Sequence, residues 1–189
     1  GEFDIGFLRQ IPDMKIFVPA SLDELRRMLH IAVLETRNPV AICYPSGGEG
    51  AYNGCCTSTL VAPGTDCTVV TYGTLYNNAA EAAAICEKKG ASVELIKLAA
   101  IDTIDMDAIC ASVQKTGHII VVEETANHGC IADAIFAALL SHGIAAKCAR
   151  RNLGQRFHPQ GTIAQLRTAC GLDAESISNL ILEVTEHEA

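Results

Sequence analysis

Residues 3–46 read FDIGFLRQIPDMKIFVPASLDELRRMLHIAVLETRNPVAICYPS, and this stretch decides the fold of the 189-residue chain. Its pattern predicts a helix, a strand, a capped helix and a second strand, in that order. Residues 15–18 and 40–44 are short apolar runs with β-favouring side chains, typical of buried strands in a parallel sheet. Ser21 and Glu24 have the spacing of a capping box, so a helix is predicted to begin after Ser21.

The predicted helix after Ser21 carries one apolar stripe at helical spacing. The stripe consists of Leu22, Leu25, Leu29, Ala32 and Val33. Asp23 and Arg27 stand four residues apart on the other side, a spacing that favours an ion pair. The pattern therefore predicts an amphipathic helix.

From residue 67 onward, strand-like and helix-like segments alternate, which predicts a mainly parallel sheet flanked by helices on both sides. The fold class is therefore α/β, with about five strands in residues 67–189. The preceding stretch is rich in Gly, Ser, Thr and Asn, a composition typical of a linker. We expect an incomplete sheet at residues 1–47, a linker at 48–66 and an autonomous domain at 67–189.

The composition excludes several classes of protein. Hydrophobic residues make up 49% of the chain and charged residues 19%, which is enough for a substantial buried core. A formal net charge of −8 argues against a general nucleic-acid binder, because phosphate contacts need clustered cations. No apolar run reaches the roughly 20 residues that cross a bilayer, so neither nucleic acid nor membrane is expected as a partner.

The nine cysteines predict neither a metal site nor a disulfide framework. Their number is odd and no C-x-x-C motif occurs. Dispersed thiols of this kind act as small buried hydrophobes and fit a reducing cytoplasm. The adjacent Cys55 and Cys56, in a loop-like segment, form the one position where oxidation is expected.

Motifs of a known family run through both halves of the chain. The first half carries FD at residues 3–4, LR at 8–9, IP at 11–12, DE at 23–24, ML at 28–29 and YP at 44–45. The second half carries TVVTYGTLYNNAAEAA at 68–83, HIIVVEETANHGC at 118–130 and RFHPQGTIAQLRTACGLDAESI at 156–177. Together they resemble the 1-deoxy-D-xylulose-5-phosphate synthase family, thiamin-diphosphate enzymes related to transketolase.

The resemblance implies a division of labour along a longer protein. Residues 1–47 would be the rear part of a transketolase-type pyrimidine-binding domain, and residues 67–189 a transketolase C-terminal domain. The residues that hold thiamin diphosphate and Mg²⁺ in the family lie upstream of Gly1. We therefore expect this chain alone to bind neither and to be inactive, with no catalytic, cofactor-binding or metal-binding residue of its own.

The parent protein would be a homodimeric, cytoplasmic transferase. By resemblance it would use thiamin diphosphate and Mg²⁺ to join a two-carbon unit from pyruvate to glyceraldehyde 3-phosphate in isoprenoid precursor synthesis. Two alternatives stay open: the C-terminal subunit of a split transketolase, whose N-terminal part is a separate polypeptide, and a non-catalytic interaction module descended from the family.

The resemblance also points to one substrate position. The family has R-Y-P-R-G where this chain has Cys43, Tyr44, Pro45, Ser46 and Gly47. The second Arg of that motif grips the substrate phosphate, which makes Ser46 the candidate substrate-binding residue. A hydroxyl offers one neutral hydrogen bond where a guanidinium offers charged, bidentate bonds. The usual phosphorylated substrate is therefore expected to bind poorly.

Glu123, Glu124 and His128 follow a predicted strand, where open α/β sheets bind ligands. They have the residue types of an acid–base or metal site. The alternative is a polar cluster at a helix terminus that orders the loop and touches the neighbouring domain. We favour this second interpretation, because two carboxylates and one His lack a third ligand at defined spacing.

Arg150, Arg151, Arg156 and His158 gather in a second polar segment, RRNLGQRFHPQG. Together they are candidates for an anion site near the helix predicted to begin at Thr162. The alternative is a loop that contacts the neighbouring domain. We favour the contact loop, since loops with fixed polar groups often serve docking.

Overall fold

Two β-sheets organise the part of the chain that this computed structural model describes, residues 2–45, 52, 54 and 58–186. A two-stranded sheet belongs to residues 2–45, called here the N-terminal segment. A five-stranded sheet belongs to residues 58–186, called the C-terminal part. Ser46, Cys55 and Cys56 lie outside the described residues. No helix in the described ranges is long and apolar enough to cross a membrane.

The N-terminal segment has the predicted order of elements. These are α1 (Asp4–Leu8), β1 (Lys15–Phe17), α2 (Leu22–His30), which continues as a π-helical turn (Ile31–Glu35), and β2 (Val40–Ile42), parallel to β1. The cap of α2 differs slightly from a capping box. Ser21 Oγ accepts from the backbone N–H of Glu24 at 3.2 Å, but the Glu24 carboxylate accepts from Ala20 N at 2.7 Å rather than from Ser21.

The predicted face of α2 is wrong. Its buried residues are Glu24 and Met28, while the predicted stripe is largely open, with Leu22 and Leu29 both 47% exposed and Val33 75% exposed. The reason is that only β1 and β2 form the adjoining sheet, and α2 turns its Glu24 side towards the C-terminal part. Asp23 pairs with Arg26 at 2.8 Å rather than with the predicted Arg27.

The C-terminal part is an α/β fold, as predicted. Its elements are β3 (Thr59–Ala62), β4 (Cys67–Tyr72), α3 (Leu75–Lys88), β5 (Val93–Leu98), α4 (Met106–Thr116), β6 (His118–Val122), α5 (Ile131–Ser141), β7 (Lys147–Arg151), α6 (Ile163–Cys170) and α7 (Ala174–Glu186). The strand order is β3-β5-β4-β6-β7, and every neighbouring pair is parallel except β3 with β5.

The edge strand β3 falls in the stretch predicted as linker. Four strands come from the residues after 66, and β3 supplies the fifth. Its short apolar run, Thr59–Ala62, lies just before Pro63 and Gly64. These turn-forming residues gave the stretch the composition of a linker, so the strand was not predicted. The division at residues 47 and 66 stays a prediction.

The five-stranded sheet is covered on both faces, because the strands are apolar on both sides. Residues of α4 and α5 pack on one face with Val70, Ile96, Leu98, Ile119 and Val121. Residues of α3 and α7 pack on the other with Val69, Leu95, Ile120 and Val122. The carboxyl ends of β4 and β6 thus open at one edge, between the helix layers.

The N-terminal segment docks on the chain that follows β5. Backbone bonds join Val18 N to Ala99 O at 3.0 Å and Ile101 N to Ile16 O at 3.1 Å. The carboxylate of Asp102 accepts from Ile16 N at 2.9 Å and from Lys15 Nζ at 3.0 Å. Strand β1 is therefore held from both sides, by β2 and by the C-terminal part.

Candidate functional site

A cleft of about 500 Å³ opens where the N-terminal segment meets the C-terminal part. The carboxyl ends of β2, β4 and β6 all reach it, and this is the edge at which α/β sheets bind ligands. The polar or backbone groups that line it are those of Glu2, Asp4, Cys43, Tyr44, Pro45, Gly73, Thr74, Glu124, His158 and Arg167. The cleft therefore includes the three residues that precede Ser46.

Arg167 anchors the floor of the cleft. Its Nη2 donates to Glu124 Oε2 at 2.8 Å and to Thr74 Oγ1 at 2.9 Å, while Nη1 donates to Asn78 Oδ1 at 3.2 Å. The side chain is 14% exposed. Its charge is thus largely engaged by Glu124, and its donors fix the loop after β4 against α6.

The charge of the cleft is unfavourable for an anion. Glu2, Asp4 and Glu124 bring three carboxyl groups, against the one guanidinium of Arg167. Burial, and secondarily the neighbouring Asp4, raises the pKa of the Cys43 thiol, which therefore stays neutral. A thiol cannot supply the positive charge of the Arg that the resembled family has at this position. Among the described lining residues, carboxyl groups therefore outnumber guanidinium groups.

The family assignment rests on sequence comparison. The profile described as "Transketolase, C-terminal domain" matches residues 57–177, well over half of the chain. The chain belongs to the transketolase C-terminal domain family. The recognition made from its motifs is therefore confirmed.

Relatives of this transketolase-family chain are similar along nearly its whole length. The 1-deoxy-D-xylulose-5-phosphate synthase of Thermomicrobium roseum is 30% identical over 190 residues, covering 96% of the chain and 30% of the relative. That of Heliobacterium modesticaldum is 31% identical over 196 residues, covering 98% and 30%. The chain thus spans about 30% of the length of the curated relatives it matches.

A solved structure shows the same fold. A chain described as "Split gene transketolase, inactive beta4 tetramer" superposes with a TM-score of 0.81 at 22% sequence identity, covering 100% of this chain and 63% of that one. The α/β fold class is therefore confirmed, and the match to the transketolase C-terminal domain lies at residues 57–177.

In this transketolase-family chain, Glu123 has a helix-anchoring role. It is fully buried, and it accepts the backbone N–H groups of Ile131 at 3.0 Å and Ala132 at 3.1 Å, at the start of α5. Tyr72 donates its hydroxyl to the same carboxylate at 3.2 Å. Burial raises the pKa of Glu123, although these hydrogen bonds act in the opposite direction. Burial and the neighbouring Glu123 also raise the pKa of Tyr72 well above its usual range.

Glu123, Glu124 and His128 do not converge on one point, since each has its own surroundings. Glu123 caps α5, Glu124 holds Arg167, and His128 is exposed. The loop also touches the N-terminal segment, where Ala126 N donates to Glu2 O at 2.9 Å. Within residues 2–45 and 58–186, no three His, Cys, Asp or Glu side chains come together as a metal site.

The arginine-rich loop contacts the N-terminal segment, as favoured from its sequence. The ring of Phe157 packs edge-on against Phe3 with centroids 5.8 Å apart. His158 Nδ1 lies 3.1 Å from Glu2 Oε1. These contacts close one end of the cleft.

The arginines of this loop serve separate partners rather than one anion. Arg150 forms an ion pair with Asp133 of α5, and Arg156 donates to Ala169 O at 3.5 Å. The capping box of Thr162 and Gln165 engages the first turn of α6. The described contacts therefore give the proposed anion site no support.

Sequence reasoning missed Arg167 and Glu2. Arg167 lies 43 residues from Glu124 and 93 from Thr74, and Glu2 lies 156 residues from His158. No local spacing signals such contacts. The sequence suggested only the general position of the cleft, because the carboxyl ends of parallel strands such as β4 and β6 meet at one edge of an α/β sheet.

The described residues do not fit thiamin diphosphate with Mg²⁺. The cleft presents carboxyl groups where a diphosphate would need cations or backbone N–H groups, and no metal-ligating cluster is found in the described ranges.

Proposed function

We propose that the chain is the C-terminal section of a thiamin-diphosphate-dependent transferase resembling 1-deoxy-D-xylulose-5-phosphate synthase. The parent reaction joins a two-carbon unit from pyruvate to an aldehyde such as glyceraldehyde 3-phosphate, for isoprenoid precursor synthesis. The observation that carries the proposal is the similarity of about 30% to these synthases across 96–98% of the chain, through both walls of the cleft.

In this proposal the chain contributes both walls of the described cleft to the acceptor site and leaves the cofactor to another part. The loop after β2, with Cys43, Tyr44 and Pro45, leads directly to Ser46, the proposed substrate-contacting residue. Arg167 and Glu124 hold the opposite loops in place through charged hydrogen bonds. The chain spans only about 30% of the length of its relatives, so the chain alone is expected to be inactive.

A homodimer and a cytoplasmic location are parts of the same proposal. The exposed Leu22, Leu29 and Val33 of α2 and the adjoining turn support association, since exposed apolar patches favour contact with another protein surface. The described free cysteines, among them the buried Cys67 and Cys86, suit a reducing compartment.

A split enzyme is the second candidate. The observation that favours it is the likeness along the whole chain to a protein described as a split gene transketolase. In that case the missing N-terminal part would be a separate polypeptide that completes the active site in trans. The acidic cleft and the neutral Cys43 support the third possibility, a non-catalytic interaction module.

A graft separates these possibilities. The matched C-terminal part of the Thermomicrobium roseum synthase would be replaced by residues 1–189, and product formation from pyruvate and glyceraldehyde 3-phosphate measured with thiamin diphosphate and Mg²⁺. The truncated synthase without the graft is the control, and it should be inactive. An active graft supports the enzyme proposal, whereas a folded, cofactor-loaded but inactive graft supports the interaction module.

Two further measurements complete the test. Adding the separate chain to the truncated synthase distinguishes assembly in trans, because activity then returns without a covalent link. Calorimetric titration of the chain alone with thiamin diphosphate and Mg²⁺ is expected to give no heat of binding. Stoichiometric binding at micromolar concentration would contradict the proposal that another part of the enzyme binds the cofactor.

A further inference from the structure

Cys170, His158 and Glu2 form a continuous line of contacts beside the cleft. Sγ of Cys170 lies 3.2 Å from Nε2 of His158, and Nδ1 of His158 lies 3.1 Å from Oε1 of Glu2. The His158 side chain is 4% exposed, while Glu2 is 32% exposed and Cys170 is half-buried. A thiol, an imidazole and a carboxylate in this order form the arrangement that activates a nucleophile.

The contacts determine which nitrogen of His158 accepts a proton. An ionised Glu2 only accepts hydrogen bonds, so Nδ1 donates to it and Nε2 is left as the acceptor. Arg156 Nε, which only donates, also lies 3.4 Å from Nε2. This contact fits Nε2 as an acceptor, but it makes Arg156 a competitor of the Cys170 thiol for the lone pair of Nε2. The imidazole is therefore oriented to take the proton of Cys170 through Nε2, while Glu2 stabilises the imidazolium that results.

The charges around the sulfur oppose each other. Helix α6 ends at Cys170, and the free carbonyl groups of a helix C-terminus disfavour negative charge nearby. Arg156 counters this effect, because its Nη2 donates to Ala169 O at 3.5 Å. The side chain of Arg151 packs against Gly171, the next residue after the thiol. Two guanidinium groups thus accompany the last turn of α6.

We propose that Cys170, His158 and Glu2 form a reactive-thiol site whose electrophile is a hydroperoxide. The proton of Cys170 passes to His158 Nε2, and the sulfur attacks one peroxide oxygen. The S–O bond forms as the O–O bond breaks, and the departing oxygen takes the proton back from His158. The sulfur is oxidised by two electrons to a sulfenic acid, and the peroxide is reduced to water or an alcohol.

The chain contains its own controls for this site. Cys110 lies 4.0 Å from His142 Nδ1 but lacks a carboxylate partner in that contact, and burial together with Asp107 raises the pKa of its thiol. Cys148 is exposed, and partial burial of its thiol raises its pKa. If access alone governed reactivity, Cys148 would react faster than Cys170. If the triad governs it, the order reverses, and the reversal depends on His158 and Glu2, which a raised pKa of Cys148 alone would not explain.

The first experiment measures the rate at which each cysteine of the full chain is alkylated by iodoacetamide at pH 7, by peptide mass spectrometry. Cys55 and Cys56 are replaced by Ser so that their own reaction does not interfere. Cys170 should react about tenfold faster than Cys148, because an ordinary thiol is only a few per cent thiolate at this pH and part of the gain is lost to lower nucleophilicity. Hydrogen peroxide with dimedone should then label Cys170 first.

Two variants test the mechanism. Both H158Q and E2Q should bring the alkylation rate of Cys170 down towards that of Cys148, with E2Q giving the smaller loss. The buried Cys67 and Cys86 are alkylated only if the variant unfolds, so they report on folding in the same sample. If H158Q exposes them, the alkylation rate of Cys170 in E2Q tests the proposal instead. The proposal is overturned if Cys170 reacts no faster than Cys148, or if its rate is unchanged in a variant whose Cys67 and Cys86 stay protected.

Discussion

The carboxylate of Glu24 and the ammonium group of Lys97 form an ion pair that is wholly excluded from solvent. Both side chains are 0% exposed, and the pair joins α2 of the N-terminal segment to β5 of the C-terminal part. The ring of Tyr52 lies 4.7 Å from Lys97 Nζ and covers it. Charges removed from water this completely are tolerated only when they are paired, so the pair ties the two parts to one arrangement.

Removing one partner should therefore be costly. Lys97→Met leaves the Glu24 carboxylate buried without its cation, and the free energy of unfolding should fall by about 3–5 kcal/mol. Urea unfolding followed by circular dichroism measures the change. The control is Arg26→Ala, which breaks the exposed pair with Asp23 and should cost less than about 1 kcal/mol. Equal losses in the two variants would contradict the assigned role.

Asp102 should make the docking of β1 sensitive to acid. Burial by itself would raise the pKa of Asp102, but hydrogen bonds from Ile16, Lys15 and Thr103 outweigh it, and the pKa is lowered. A carboxyl group with a lowered pKa stabilises the fold above its unfolded pKa, and this contribution is lost as the pH falls through the folded pKa.

The variant Asp102→Asn should accordingly lose about 1–3 kcal/mol of unfolding free energy near neutral pH. The gap between wild type and variant should stay constant down to about pH 5 and shrink towards pH 3. Urea unfolding at a series of pH values measures it. Asp23→Asn, an exposed control, should change stability by less than about 0.5 kcal/mol. A gap that persists undiminished at pH 3 would show that the charge of Asp102 is not involved.

Local sequence signals anticipated the sheet but not the contacts between its ends. Strands β4 and β6 are buried at every position, so their apolar runs were visible without the structure. Strand β3 escaped notice because its short apolar run stands directly before the turn-forming Pro63 and Gly64. The burial of Glu24 was hidden because its partner Lys97 lies 73 residues away, and a charged residue beside an apolar stripe ordinarily faces solvent.

Gly129 controls the approach of α1 to the start of α5. Its φ is +83°, and a Cβ added to it would lie 2.5 Å from Gly6 Cα. Gly129→Ala should therefore cost more than about 2 kcal/mol in unfolding free energy, from both backbone strain and the displacement of α1. Gly143→Ala is the matched control, since Gly143 has a φ of +68° but no atom within 4 Å of an added Cβ, and about 1 kcal/mol is expected there. Thermal unfolding of both variants distinguishes steric contact from conformational strain alone.

The proposed domain division predicts where a protease cuts first. Residues 48–66 are the proposed linker, whereas the later residues contribute both packed helix layers. Thermolysin at low ratio should cleave first between residues 46 and 58, and a fragment beginning near residue 58 should persist. β3 is paired with β5, so it should remain in that fragment. First cleavage inside β4 to β7 would count against an autonomous domain, and mass spectrometry of the early fragments reads out the result.

The last prediction concerns the choice of acceptor by the transferase proposed above. Ser46 follows Pro45 in the sequence, and Pro45 lines a cleft whose described side chains include three carboxyl groups and the Arg167 guanidinium, which is paired with Glu124. If Ser46 stands where the resembled family places a phosphate-gripping Arg, the missing charged hydrogen bond is worth about 1.5–3 kcal/mol. That corresponds to roughly 10- to 150-fold in kcat/KM for glyceraldehyde 3-phosphate.

Ser46→Arg should therefore raise kcat/KM for the phosphorylated aldehyde, and leave use of unphosphorylated glyceraldehyde nearly unchanged. Cys43→Arg is the matched control, because it adds the same charge two residues earlier, away from the proposed phosphate position, and should help less. Comparing two aldehydes in one enzyme cancels any effect of the substitution on folding or on cofactor loading. A parent that already uses glyceraldehyde 3-phosphate efficiently, and gains nothing from Ser46→Arg, would show that another cation outside the described residues holds the phosphate.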